Sequence, residues 1–198
     1  SSVMAINSDL PNTFKNNIQI YAKPQIINLG NNKMFMVYID SAPNRIAENG
    51  TILMYSIYDG TSWSSPLPIA DDGTADFEPK ICTDANGGVH ILWQNSSTIL
   101  EKGATLDETA TAIDLSYIYW DGTNFSNDAT ITSSNQDYEM SHKIVSSGDN
   151  VSVVWQQNSE NDVFGLSGTN SIYRKQLIEN SWNDTETLAT ELSVVTNI

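Results

Sequence analysis

Four carboxylates stand where acid–base chemistry would be expected. Asp76, Glu78, Asp137 and Glu139 fall at the mouths of two extended segments. Glycoside hydrolysis needs two carboxyl groups flanking one bond, with one kept protonated by its surroundings. These four are the candidate catalytic residues. Phe77, Tyr138 and Phe164 are loop aromatics in an acidic setting, suited to holding a glycan or a protein partner, and Arg45 joins them as a ligand-binding candidate. A calcium site at Asp71, Asp72 and Asp76 is a further reading, since hard cations want clustered oxygen ligands. The stretch from Asp71 to Glu78 nevertheless lacks the Asp-x-Asp-x-Asp-Gly spacing of a calcium loop. No other cofactor is expected. His90 and His142 lie in separate repeats, which makes a poor metal site. Cys82 reads as a small buried hydrophobe.

These residues are carried by an internal repeat, whose period decides the fold. Met34-Phe-Met-Val-Tyr38, Val89-His-Ile-Leu-Trp93 and Val151-Ser-Val-Val-Trp155 each follow a glycine turn. A short apolar piece precedes each turn, beginning at Pro24, Pro79 and His142. Downstream, Leu53 to Trp63 matches Leu115 to Phe125 position for position, and Ile172 to Trp182 fits with one extra residue. Each copy closes on another extended piece: Pro66–Ile69, Ala129–Thr132 and Glu186–Ala189. β-Branched and aromatic residues fill the strands, and Asp59-Gly60 and Asp121-Gly122 mark tight hairpins. No stretch has a convincing helical period, although residues 98–114 could hold a helical turn. The chain is expected to be all-β, with three four-stranded antiparallel blades of a propeller. Residues 18–74, 75–137 and 138–198 form the blades. Residues 1–17 supply the last strand of a preceding blade, at Val3–Asn7, and a connector.

The repeat pattern of Pro-x-Ile, glycine turn, apolar strand ending in Trp, then Asp-Gly-Thr-x-Trp, resembles the sialidase-like (Asp-box or BNR-repeat) propeller superfamily over about residues 18–198. In the strict box Asp and Gly are separated by one residue; here Ser56, Asp59-Gly60 and Trp63 have them adjacent. The resemblance implies sialidase activity, which needs three arginines on the substrate carboxylate. The chain has only Arg45 and Arg174, so by itself it is no sialidase.

Three blades make a partial propeller or half of a six-bladed ring, so the expected partners include the remaining blades or a second copy. The connections between strands two and three, and between blades, all emerge on one rim, and long loops on a rigid scaffold are where function concentrates. The other rim has only tight turns. A charge of −15 from 24 acidic and nine basic residues argues against nucleic acid and anionic membranes. No apolar run is long enough to span a bilayer, and Ser1-Ser2-Val3-Met4 lacks the features of a signal peptide. Composition suits a secreted or cell-surface bacterial protein. The expected function is non-catalytic binding of a glycan or protein through the long-loop rim; the alternative is part of a glycoside hydrolase.

Overall fold

The computed structural model describes residues 22–132, 137–195 and 198. The strand expected at residues 3–7, and the connector through residue 17, lie outside the described residues. Three antiparallel sheets follow one another along the chain. The first is β1 (Gln25–Gly30), β2 (Lys33–Ser41), β3 (Thr51–Tyr58) and β4 (Leu67–Pro68). The second is β5 (Asp76–Thr83), β6 (Val89–Ser96), β7 (Ile113–Trp120) and β8 (Ala129–Thr130). The third holds β9 (Tyr138–Ser147), β10 (Asn150–Asn158) and β11 (Asn170–Ile178), with β12 (Ser181–Trp182) and β13 (Glu186–Leu192) both paired to β11. The first two sheets thus have four strands in sequence order, the arrangement of a propeller blade, and the third has five because β12 and β13 share the edge of β11.

Alternation along the second strands assigns their side chains to the two seams between sheets. Phe35, Val37 and Ile39 of β2, with Leu53 of β3, pack against Val89, Ile91 and Trp93 of β6. The opposite face of the second blade sends Leu92, Leu115 and Tyr117 against Ile144, Val151, Val153 and Trp155 of the third. A middle sheet covered on both faces explains why β6 reads as an unbroken apolar run. Trp93, Trp155, Phe35 and Leu53 are fully buried, and truncating any of them to Ala costs about 3–5 kcal/mol.

The Asp-Gly hairpins form as expected. Asp59 Oδ1 accepts from the backbone N–H of Thr61 and Ser62 while Gly60 takes φ +104°. Asp121 repeats this with Thr123 and Asn124, and Gly122 sits at +102°. Only Gly takes that conformation without strain.

The structure departs from the sequence expectation at three places. A short helix, α1 (Leu106–Thr111), occupies the connection between β6 and β7, where no helical period is visible. Thr105 and Glu108 cap it reciprocally, so local capping rather than periodicity forms it. The fourth strand is only two residues long in the first two blades, whereas β13 runs for seven. Inner strands also begin earlier than expected. They pass through a bulge at Glu78 (φ +43°) and Ser141 (φ +52°). Phe77 and Tyr138 therefore stand on strands β5 and β9, not in loops.

Candidate functional site

On the long-loop rim all three blades meet in one pocket of about 270 Å³. Phe77, Glu78, Gln94 and Ile113 come from the second blade, Ile39 and Thr51 from the first, and Tyr138 and Val163 from the third. Leu106, Thr109 and Ala110 of α1 roof it. The lining is mostly apolar with a few convergent polar groups, as small-molecule sites usually are. Gln94 Nε2 donates to the Tyr138 hydroxyl at 3.3 Å and to the Glu139 carbonyl, tying two blades together at the pocket floor. Burial raises the Tyr138 phenol pKa.

Asp76 and Glu139 are the sequence neighbours of the pocket residues Phe77 and Tyr138 and occupy equivalent positions: Asp76 pairs with Asn95 on β6, and Glu139 with Gln157 on β10. They are 1 % and 0 % exposed, and each side chain turns into its own inter-blade seam. Asp76 accepts from Leu53 N at 2.8 Å, across the first seam, and from Trp93 Nε1 at 2.8 Å. Burial raises its pKa to about 7 against the pull of those two donors. Glu139 Oε1 accepts from Gln157 Nε2 at 2.9 Å, while its Oε2 is buried without a partner. Burial, with nearby Asp114 adding repulsion, raises Glu139 to about 8. Asp114, buried on β7, is itself raised to about 6 by burial. Two buried carboxyl groups whose pKa values are raised to neutrality or above therefore lie beside the pocket residues Phe77 and Tyr138. They share no hydrogen-bond partner.

Glu78 is half-exposed at the pocket mouth and forms ion pairs with Lys23 and Lys80. Burial opposes its ionisation, but those cations hold the carboxyl below its ordinary value. His142 Nε2–H donates to the Glu78 carbonyl at 2.7 Å, and burial lowers the imidazole to about 4. Asp137 lies next to Tyr138, and its charge helps to raise Glu139.

Arg45 stands away from the pocket. Its guanidinium bonds Asp71 and the carbonyl of Thr74, pinning the β2–β3 loop to the inter-blade connection. Phe164, 77 % exposed, stands in the β10–β11 loop. The carboxylate of Asp162 shapes that loop by accepting from the backbone N–H of Phe164, Leu166 and Ser167. The carboxylates read as a calcium site do not converge. Asp71 faces Arg45, Asp72 accepts from Thr74, and Asp76 is turned into the seam. Among the described residues no three His, Cys, Asp or Glu side chains gather to hold a metal.

Sequence reasoning missed Gln94. Aligning the repeats exposes it: Gln94 follows Trp93 as Ile39 follows Tyr38, so a polar residue replaces an apolar one at a position facing the next blade.

No family model and no curated protein matches the chain. Solved structures do. A protein of unknown function from Dyadobacter fermentans superposes with a TM-score of 0.56 at 11 % identity, over 82 % of this chain and 53 % of the other. A polysaccharide lyase of family PL25, an ulvan lyase, gives 0.52 at 14 %, over 85 % and 42 %. A family 117 glycoside hydrolase of the marine bacterium Zobellia galactanivorans gives 0.52 at 13 %, over 83 % and 54 %. The likeness is one of fold, that of a β-propeller. The chain spans about half the length of the solved structures it matches.

Proposed function

We propose that this chain is a carbohydrate-recognising arc of a β-propeller and that the pocket where the three blades meet holds a sugar ring. The observation that carries this reading is the convergence of Phe77 and Tyr138, from separate blades, on one pocket with Gln94 and Glu78. Aromatic faces accept the C–H side of a sugar ring, while the amide, phenol and carboxylate meet its hydroxyls. Solved propellers that act on polysaccharides share this fold, which supports the ligand class without identifying the sugar. Phe164 on the neighbouring loop extends the same surface toward a longer glycan. The test is saturable binding of oligosaccharides to the full chain. Phe77→Ala should weaken it at least tenfold, and Tyr138→Phe should weaken it less. Unchanged binding in both variants sinks the reading.

A second reading makes the chain part of a glycoside hydrolase completed by further blades or by a second copy. Its support is the pair Asp76 and Glu139, buried beside the pocket residues Phe77 and Tyr138 and both with raised pKa values. Turnover lost in Asp76→Asn or Glu139→Gln, with binding kept, separates this reading from simple recognition. The sialidase variant of it lacks a third arginine, and Arg174 is paired with Glu186. A secreted or cell-surface location fits a glycan ligand.

A further inference from the structure

The seam between the first and second blades is closed toward the tight-turn rim by apolar side chains. Phe35 packs on Trp120 with ring centroids 4.9 Å apart, and Leu29 and Ile57 complete the plug. Strand register identifies the counterparts in the next seam. Phe35 pairs with Ile27 and Ile57, as His90 pairs with Cys82 and Tyr119. Trp120 pairs with Val89 as Leu177 pairs with Val151. Leu29 lies two residues beyond Ile27, as Asp84 lies two beyond Cys82. Leu29, Phe35, Ile57 and Trp120 thus give way to Asp84, His90, Tyr119 and Leu177.

The exchange opens a cleft of about 520 Å³ on the tight-turn rim. Its inner wall is a linked polar set. His90 is 5 % exposed; its Nδ1 lies 2.7 Å from the Tyr117 hydroxyl, and its Nε2 has no hydrogen-bond partner and lies 3.6 Å from Asp84 Oδ2. The Tyr119 hydroxyl donates to the same Asp84 oxygen at 2.8 Å. Trp182 lies edge-on against Tyr117 at 5.0 Å. Asn86, Asn127, Asp149 and Asn180 are exposed around the opening. Polar groups are not needed to hold two blades together, since the first seam does so at the same positions with apolar residues alone, and burying polar groups without full partners is costly.

We propose that this cleft is a second binding site, for an uncharged sugar ring, independent of the three-blade pocket. Trp182 and Tyr119 supply flat apolar surfaces beside polar handles. The side-chain amides and carboxylate at the mouth suit neighbouring hydroxyls, which both donate and accept. Two carboxylates, with no Lys or Arg among the described lining residues, select against uronates and sulfated sugars.

The experiment uses the whole chain and its tryptophan indole N–H resonances, titrated with short neutral arabinan- and galactan-derived oligosaccharides and with oligogalacturonate. The Trp182 resonance should shift saturably with a neutral oligosaccharide and stay still with the anionic one. Asn127→Ala and Asp149→Ala, both at exposed positions, should weaken the shift at least tenfold without moving the thermal midpoint. Phe77→Ala should leave it intact, so that failure of the three-blade pocket is read separately. The proposal is overturned by no saturable shift with any sugar, by an equal shift with oligogalacturonate, by persistence of the shift in both exposed variants, or by a response to tetramethylammonium in place of sugars.

Discussion

Trp93 donates its indole N–H to Asp76 at 2.8 Å, whereas Trp155, its counterpart one blade later, is buried with no hydrogen-bond partner for Nε1. The carboxylate opposite each indole is the difference. Glu139 is one methylene longer than Asp76, and its carboxyl is held by Gln157 instead, leaving Oε2 unpaired. Two nearly repeated seams therefore carry unequal polar bookkeeping.

The first prediction concerns Asp76. Asp76→Ala strands both the Leu53 N–H and the Trp93 Nε1–H in a buried seam. Each orphaned donor costs about 1–3 kcal/mol, so a loss of about 2–6 kcal/mol is expected. Asp76→Asn keeps one acceptor oxygen and should lose roughly half as much. Urea unfolding would show a lower midpoint with an unchanged slope; equal stability of wild type and Asp76→Ala would remove the seam role.

Stability should fall as pH rises above about 6.5. Glu139 binds its proton up to about pH 8 in the folded chain but only to its ordinary 4.5 when unfolded. Folding therefore takes up a proton between those values, and this contribution is full below 4.5 and lost as pH rises to about 8. Asp76, at about 7 against 3.8, acts in the same direction. His142 behaves oppositely: burial lowers it to about 4 from 6.5, so its contribution is full above 6.5 and lost as pH falls toward 4. Between pH 6.5 and 8 the effects of these two carboxyls remain, and stability should fall by about 2 kcal/mol. Glu139→Gln should flatten this alkaline limb, as followed by thermal midpoints in matched buffers. An unchanged limb would show that Glu139 ionises normally.

Helix α1 roofs the three-blade pocket through a cap that can be removed singly. Thr105 Oγ1 accepts from Glu108 N at 3.2 Å, and the Glu108 carboxylate accepts from Thr105 N at 2.7 Å. Thr105→Ala should cost about 0.5–2 kcal/mol, concentrated locally, so that amide exchange quickens over α1 while β6 and β10 stay protected. Uniform quickening across the chain would refute a local role.

Much of this was legible in the chain. The three-fold recurrence of an apolar run ending in Tyr38, Trp93 and Trp155 announces three equivalent second strands, and in β6, covered on both faces, alternation vanishes because no face meets water. Asp59-Gly60 and Asp121-Gly122 announce their hairpins through the positive φ that Gly alone tolerates cheaply. Helix α1 falls in the one segment read as able to hold a helical turn, but its bounds were not legible because six residues carry no period; their signal is the Thr105-x-x-Glu108 spacing. Phe77 and Tyr138 stood out in the sequence as rim aromatics, but Gln94 depends on which way a strand residue faces, a matter of register. The tight-turn cleft was hidden for a related reason. His90 and Asp84 look unremarkable until laid over Phe35 and Leu29, and that comparison needs the pairing of neighbouring strands. Whether Asp76 and Glu139 point into the pocket or into the seams could not be read from spacing at all.

Gly88 gives the sharpest test of the tight-turn rim. A Cβ built there would lie 2.1 Å from the Tyr119 hydroxyl oxygen and 2.5 Å from the ring, far inside contact distance. Gly88→Ala must therefore push Tyr119 aside, breaking its 2.8 Å bond to Asp84. Overpacking of this kind costs about 1–3 kcal/mol. Removing the obstacle should remove most of that cost, so in a Tyr119→Ala background the same glycine substitution is expected to be nearly neutral. The non-additive remainder of the double-mutant cycle measures the contact itself. Additive losses would mean that Tyr119 does not pack over Gly88 and that the cleft wall is differently built.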